Sequence, residues 1–301
     1  MNLSVRTILF ALLLIIPALG FGQYSPEASD TTDSKNHVAR FALISAGTYA
    51  LTMTYLGTTW YNNDEKVSFR WFDDSKEWKQ MDKAGHMTGS FFITELMVDG
   101  LRNAGLENKK SIIYGAAAAT VAMASIEIFD GYSPDYGASG TDLLANLLGT
   151  GLFVLQSNRS WDKQWVRPKF SFSTSGYASM RPEVLGDGLH EQILKDYNGQ
   201  TYWLSIQTDN FGNIPKWLSY INIGLGYGAE DMIYARDHQN IEAGLDPYRQ
   251  FFLAPDIDLS AIKTNKKWLK FILKLANYIH LPTPALEINT RGNVKFHPIY
   301  F

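Results

Sequence analysis

The sequence predicts an α+β protein, with a bundle of about four helices followed by a β-rich half, sheet or partial barrel, that carries one amphipathic helix. Three observations carry this. Between about residues 37 and 157, apolar residues recur at helical spacing in four long stretches separated by polar and Gly-containing breaks. Beyond residue 158, short segments alternate with period two instead. A single later stretch, from about Asn265 to Tyr278, returns to helical spacing.

Residues 1–22 read as a secretory signal: Arg6, an apolar run from Ile8 to Leu19, then the small residues of Gly20-Phe21-Gly22. That run falls short of the roughly 20 residues that a membrane span needs, so cleavage near Gly22 is expected and the mature chain works in the periplasm or outer membrane. Removing the segment takes away one arginine and no acid, leaving a net charge of −4. Residues 23–36, rich in Ser, Thr and Asp, read as a flexible lead-in to a helical domain at 37–157.

Within that domain the helical stretches run from Arg40 to Trp60, Lys83 to Ala104, Ser111 to Phe129 and Thr141 to Gln156. Glu95 and Asp99 interrupt the second, which is costly inside a bilayer, whereas the third is uncharged for about 16 residues. A water-soluble or membrane-associated bundle and a multi-pass one both remain open.

The domain at 158–301 starts its alternation at Lys169-Phe170-Ser171-Phe172-Ser173. Asn222 to Tyr227, Asp256 to Leu259, and Ala285 to Phe301 with Gly292 at a turn or bulge continue it. About five strands are expected, fewer than the eight of the smallest common membrane barrel, although the terminal Phe301 and alternating neighbours resemble the end of an outer-membrane barrel strand. The helical insert sets Trp268 and Phe271 against Lys267, Lys270 and Lys274, a pattern suited to an anionic membrane interface as well as to an ordinary protein surface.

Composition limits the chemistry. A net charge of −3 over 301 residues offers no grip on a phosphate backbone, so nucleic acid is not an expected partner. With no cysteine there is no disulfide, thiolate metal site or lipid-bearing residue, and any metal must rest on His and carboxylate. Aromatic residues at 14% suit a barrel, a membrane interface or a sugar-binding surface. The sequence has no Walker loop, dinucleotide fingerprint, Gly-x-Ser-x-Gly elbow or His-Glu-x-x-His pair.

The polar residues of the helical half form a pattern of their own. Asp82, Lys83 and His86 place Asp82 and His86 one turn apart on a helix. Glu127 and Asp130 crowd the carboxyl end of the most apolar helix, where the macrodipole disfavours negative charge, so Glu127 should find a cation, with Lys83 and His86 as candidates. Asp142 and Asn146 repeat the one-turn spacing, and Ser139-x-x-Asp142 fits a capping box. Each residue also has a plain structural reading as a cap or an interhelical contact.

This order of residues, Asp82-Lys83-x-x-His86, Glu127, then Asp142-x-x-Ala145-Asn146-x-x-Gly149, resembles the VanZ-like family. Glu127-x-x-Asp130 followed by Gly131-Tyr132-Ser133 makes the chain more similar to the YfiM-type family of predicted periplasmic lipoproteins, over residues 78–152. The chain departs from the VanZ pattern at Ser90 and Asp130. What the resemblance implies is an envelope location.

The leading expectation is therefore an exported envelope protein associated with the outer membrane, structural or lipid-interacting, with membrane lipid or another envelope component as partner. The alternative is a lipid- or glycan-processing hydrolase, with His86 as general base, Glu127 orienting it, and Asp82 or Asp142 as acid or metal ligand. Such a site suits Zn or Mn better than Cu(I). No cofactor is specified.

Overall fold

The computed structural model describes residues 31–59, 67–134, 136–157, 164–208, 215 and 220–301. The expected signal segment and its cleavage near Gly22 lie outside the described residues. The chain is α+β and divides into two compact units, Met1–Asp74 with Gly89–Leu155, and Ser75–Thr88 with Gln156–Phe301.

The first unit is helical, built from α1 (Thr31–Thr59), most of α2 (Met81–Asn103), α3 (Asn108–Gly131) and α4 (Gly140–Ser157). The α1 helix takes in Thr31–Asn36, expected as lead-in. Phe91, Val98, Ile112 and Phe153 form one apolar cluster, and Phe41, Leu101 and Ala104 another. Gly115 lets α3 approach α2 closely, since a Cβ there would lie 2.5 Å from Val98 Cγ2.

Polar groups are also folded inside this unit. Thr94 Oγ1 meets Thr150 Oγ1 at 3.1 Å, and Glu95, Glu127, Asp142 and Asn146 are all buried. Apolar side chains meanwhile face outward: Ile113, Tyr114, Val121 and Ile128 on α3, and Leu144, Leu147, Leu148 and Leu155 on α4. Among the described residues, α3 is the helix long and apolar enough to cross a membrane, and only 28% of its most apolar 18 residues are buried. A core helix of a soluble protein would be mostly buried.

The second unit holds a six-stranded antiparallel meander in chain order: β1 (Val166–Phe172), β2 (Gln200–Ile206), β3 (Ile221–Glu230), β4 (Tyr248–Ile257), β5 (Thr283–Asn289) and β6 (Val294–Tyr300). Short helices α5 (Pro182–Leu185), α6 (Leu189–Lys195) and α7 (Asp237–Glu242) lie in its connections, and α8 (Lys267–Ala276) joins β4 to β5. The expected terminal segment splits at Gly292, whose φ of 83° makes the β5–β6 turn. Strand β2 had no clear alternation to announce it.

The sheet is inverted relative to a soluble one. Leu204, Leu225, Leu253, Leu286 and Phe296 stand directly opposite one another on β2 to β6, and they are 38, 44, 50, 38 and 65% exposed. A second row beside them, Tyr202, Tyr227, Phe251, Ile288 and Val294, is also apolar or aromatic. The inward positions instead hold Lys169, Ser171, Thr201, Ser205, Asn222, Asp256 and Glu287, all buried, around Trp203, Phe252, Ala254 and Ala285. Apolar-out and polar-in is the alternation of a strand facing lipid.

Two contacts draw the sheet round on itself. Phe170 N donates to Tyr278 O and His280 N to Phe170 O, both at 2.9 Å, so the stretch ahead of β5 occupies part of the β1 edge. Thr201 Oγ1 and Tyr300 OH, 3.0 Å apart, link β2 to β6 through the interior.

Candidate functional site

The interior of the sheet holds a sealed polar cluster. Strand β1 points Lys169 inward, and its Nζ lies 2.7 Å from Asp256 Oδ2 on β4 with neither side chain exposed. The ammonium also donates to Ile257 O at 2.8 Å. Ser205 Oγ donates to the same Asp256 oxygen at 2.6 Å, and Asn222 Nδ2 donates to Ser205 Oγ at 2.9 Å. A buried charge survives only when paired and hydrogen-bonded, and Asp256 Oδ2 meets both conditions, whereas the buried Oδ1 accepts no hydrogen bond.

His280 closes the cluster. Its ring stacks on Trp203 with centroids 3.8 Å apart and planes 9° from parallel, and its Nε2 lies 3.8 Å from Asp256 Oδ1. Space for the pair comes from β3, where Gly226 faces Trp203 and Gly224 faces His280. Further along the interior, His297 Nε2 is 2.7 Å from Glu287 Oε2, and Asn289 Nδ2 donates to Glu287 Oε1 at 3.0 Å. The curling of the sheet, with His280 held against β1 by its main-chain bond to Phe170, brings these distant residues together.

Of the expected residues of the helical half, Asp82, Lys83 and His86 belong to the second unit and Glu127, Asp130, Asp142 and Asn146 to the first. In the second unit, His86 Nε2 lies 3.6 Å and Tyr197 OH 3.0 Å from Asp82 Oδ1, while Lys83 Nζ is 3.1 Å from Asp82 Oδ2. The one-turn spacing of Asp82 and His86 is therefore a contact. A left-handed turn at Trp78, Lys79 and Gln80, with φ of 47, 51 and 63°, sets the start of α2. Lys79 Nζ holds that turn to Asp237 Oδ2 at 2.6 Å, and Trp78 N donates to Ala235 O at 2.7 Å.

In the helical unit, Glu127 Oε2 accepts the main-chain N–H of Ser139 at 3.0 Å. Ser139 Oγ accepts from Asp142 N at 3.0 Å, so Ser139 caps α4 as its spacing predicts. The reciprocal half of the capping box is supplied by Glu127 from α3: its carboxylate takes the cap's own N–H. Asp74 Oδ1 adds bonds from Ser139 Oγ at 2.6 Å and Thr141 Oγ1 at 2.8 Å. Asp130 sits in the last turn of α3, where its carbonyl accepts from Ser133 N at 3.0 Å.

On α8, Trp268 and Ile272 are exposed, Phe271 is half-buried, and Lys270 is exposed with Lys274 half-buried. The exposed apolar pair is therefore Trp268 with Ile272, one turn on. The side chain of Lys267 lies outside the described residues.

The second unit thus combines a polar interior with an outward apolar row, and the helical unit buries the carboxylates of Glu95, Glu127 and Asp142. Among known families, residues 69–178 match a family described as predicted periplasmic lipoprotein (DUF2279). That match covers the whole stretch carrying Asp82, His86, Glu127, Asp142 and Asn146, and it supports an exported protein of the cell envelope. It gives no support to a hydrolase. No curated protein and no solved structure matches the chain.

Proposed function

We propose that this is an outer-membrane-associated envelope protein, of the YfiM-like kind in its helical half, that embeds the outward face of its sheet in lipid and serves a structural or lipid-interacting role. The observation that carries the reading is the inversion of the sheet. The exposed row from Leu204 to Phe296 lies back to back with the fully buried Lys169–Asp256 pair. From Phe251 to Ile257 the exposed apolar positions of β4 extend about 20 Å along the strand, close to the roughly 25 Å apolar band of a membrane barrel. In water a contiguous apolar face of this kind would be an aggregation surface.

The test is flotation of the purified full chain with phosphatidylcholine vesicles, alongside fractionation of cells that make it. The wild type is expected to float and to resist alkaline extraction. Leu225→Arg with Leu253→Arg places two guanidinium groups on the outer face, each costing about 2–4 kcal/mol at the bilayer midplane, and should abolish flotation. A wild type that stays in the soluble fraction, or a double variant that floats equally well, overturns the reading.

A further inference from the structure

On the outer face, β4 and β5 separate. They pair only from Gln250 to Leu253 with Leu286 to Asn289, and below that point Pro255 and Pro284 each lack the N–H that would continue the ladder. The separation opens a groove of about 620 Å3 lined by Ile223, Leu253, Pro255, Pro284, Leu286 and Phe296, with Thr208 and Asn222 as its polar members. Three of these residues, Leu253, Leu286 and Phe296, belong to the exposed leucine row, so groove and row are one continuous apolar surface.

Both walls of the groove lead straight into the α8 connection. The chain leaves β4 at Ile257, forms α8 and returns to Thr283, so α8 sits at the end of the sheet where the groove opens. From Leu259 to Leu286 the sequence carries Lys263, Lys266, Lys267, Lys270 and Lys274 and no acidic residue. Lys263, Lys266 and Lys270 are exposed, as are Ile262, Trp268, Ile272 and Ile279 between and beside them. Lysine heads with an exposed Trp suit the level where phosphate headgroups meet acyl chains.

We infer that this end of the sheet binds an anionic phospholipid. Lys263, Lys266 and Lys270 bracket the headgroup phosphate, Trp268 and Ile272 lie at the upper acyl carbons, and one acyl chain fills the groove between β4 and β5. The inference rests on the membrane reading above and adds to it the headgroup charge and the place of binding. The groove supplies the apolar contact that any phospholipid shares, and the lysines supply the discrimination.

The test uses the detergent-solubilised full chain with dioleoyl phosphatidylglycerol or dioleoyl phosphatidylcholine, with bound lipid counted by native mass spectrometry. The wild type is expected to prefer the anionic lipid by about tenfold or more, as three lysines near an anionic surface permit. Lys263→Gln, Lys266→Gln and Lys270→Gln together should erase that preference while leaving phosphatidylcholine adducts and flotation on neutral vesicles as they are. Ile223→Trp, which fills the groove, should reduce adducts of both lipids. Equal binding of the two lipids by the wild type overturns the inference, as does a preference that survives in the triple Gln variant. So does inorganic phosphate, at the lipid concentration, displacing the anionic lipid. Failure here with flotation intact removes the lipid site alone, whereas failure of flotation removes the membrane reading.

Discussion

Lys169 on β1 and Asp256 on β4 meet at 2.7 Å inside the sheet, with no part of either side chain exposed. The strands that carry them are not neighbours. The pair therefore spans the interior and ties the curled sheet across its middle.

Removing one partner should be far worse than removing both. Asp256→Ala strands the ammonium of Lys169 and is expected to cost about 3–5 kcal/mol in denaturant unfolding of the detergent-solubilised protein. Lys169→Met with Asp256→Leu should recover most of that loss, because an apolar pair of similar size needs no desolvation. A double variant as unstable as Asp256→Ala would show that the pair contributes more than mutual neutralisation.

The Trp203–His280 stack depends on the missing side chain of Gly226. A Cβ there would sit 2.8 Å from Trp203 Cζ3 and 3.0 Å from Phe252 Cβ, so Gly226→Val should cost about 1–3 kcal/mol by overpacking. At Gly47, on α1, a Cβ meets nothing within 4 Å, and Gly47→Ala should stabilise by roughly 0.5–1 kcal/mol. Thermal melts of the two variants should therefore shift in opposite directions, and a shared direction would refute the argument.

Glu127 is expected to matter through the helix it caps. Glu127→Ala leaves the buried Ser139 N–H without its carboxylate and should cost about 1–3 kcal/mol, with Glu127→Gln costing less. Ser139→Ala removes the cap on Asp142 N and should cost about 1 kcal/mol. Glu107→Ala, at an exposed Glu107–Lys110 pair 3.2 Å apart, should change stability by under about 0.5 kcal/mol. Equal stabilities for Glu127→Ala and Glu107→Ala would remove the capping role.

Local spacing made some of this arrangement legible. Asp82 and His86 share a helical face because four residues advance one turn, and Ser139 caps α4 because its side chain precedes the helix by the right distance. The partner of Glu127 was not legible in the same way. Its position at a helix end argued for a cation, whereas its bond from the main-chain amide of Ser139 was not foreseen, because amides carry no residue-type signal in a sequence. Lys169, Asp256 and His280 were missed as a cluster for a related reason: the curl of the sheet and the Phe170–His280 main-chain contact bring them together across strands that are not neighbours.

The sequence by itself determined which half of the chain is helical and which is strand, because a 3.6-residue and a two-residue period cannot be mistaken for one another over such lengths. It also determined the lysine-rich, acid-free character of the segment around α8. Only the tertiary structure decided which alternate residues of each strand face inward. A period of two is symmetric, separating Leu225 from Gly224 and Gly226 without saying which set points to a core. Cross-strand register breaks that symmetry, by aligning Leu204, Leu225, Leu253, Leu286 and Phe296 on one face and sealing Lys169 and Asp256 behind it.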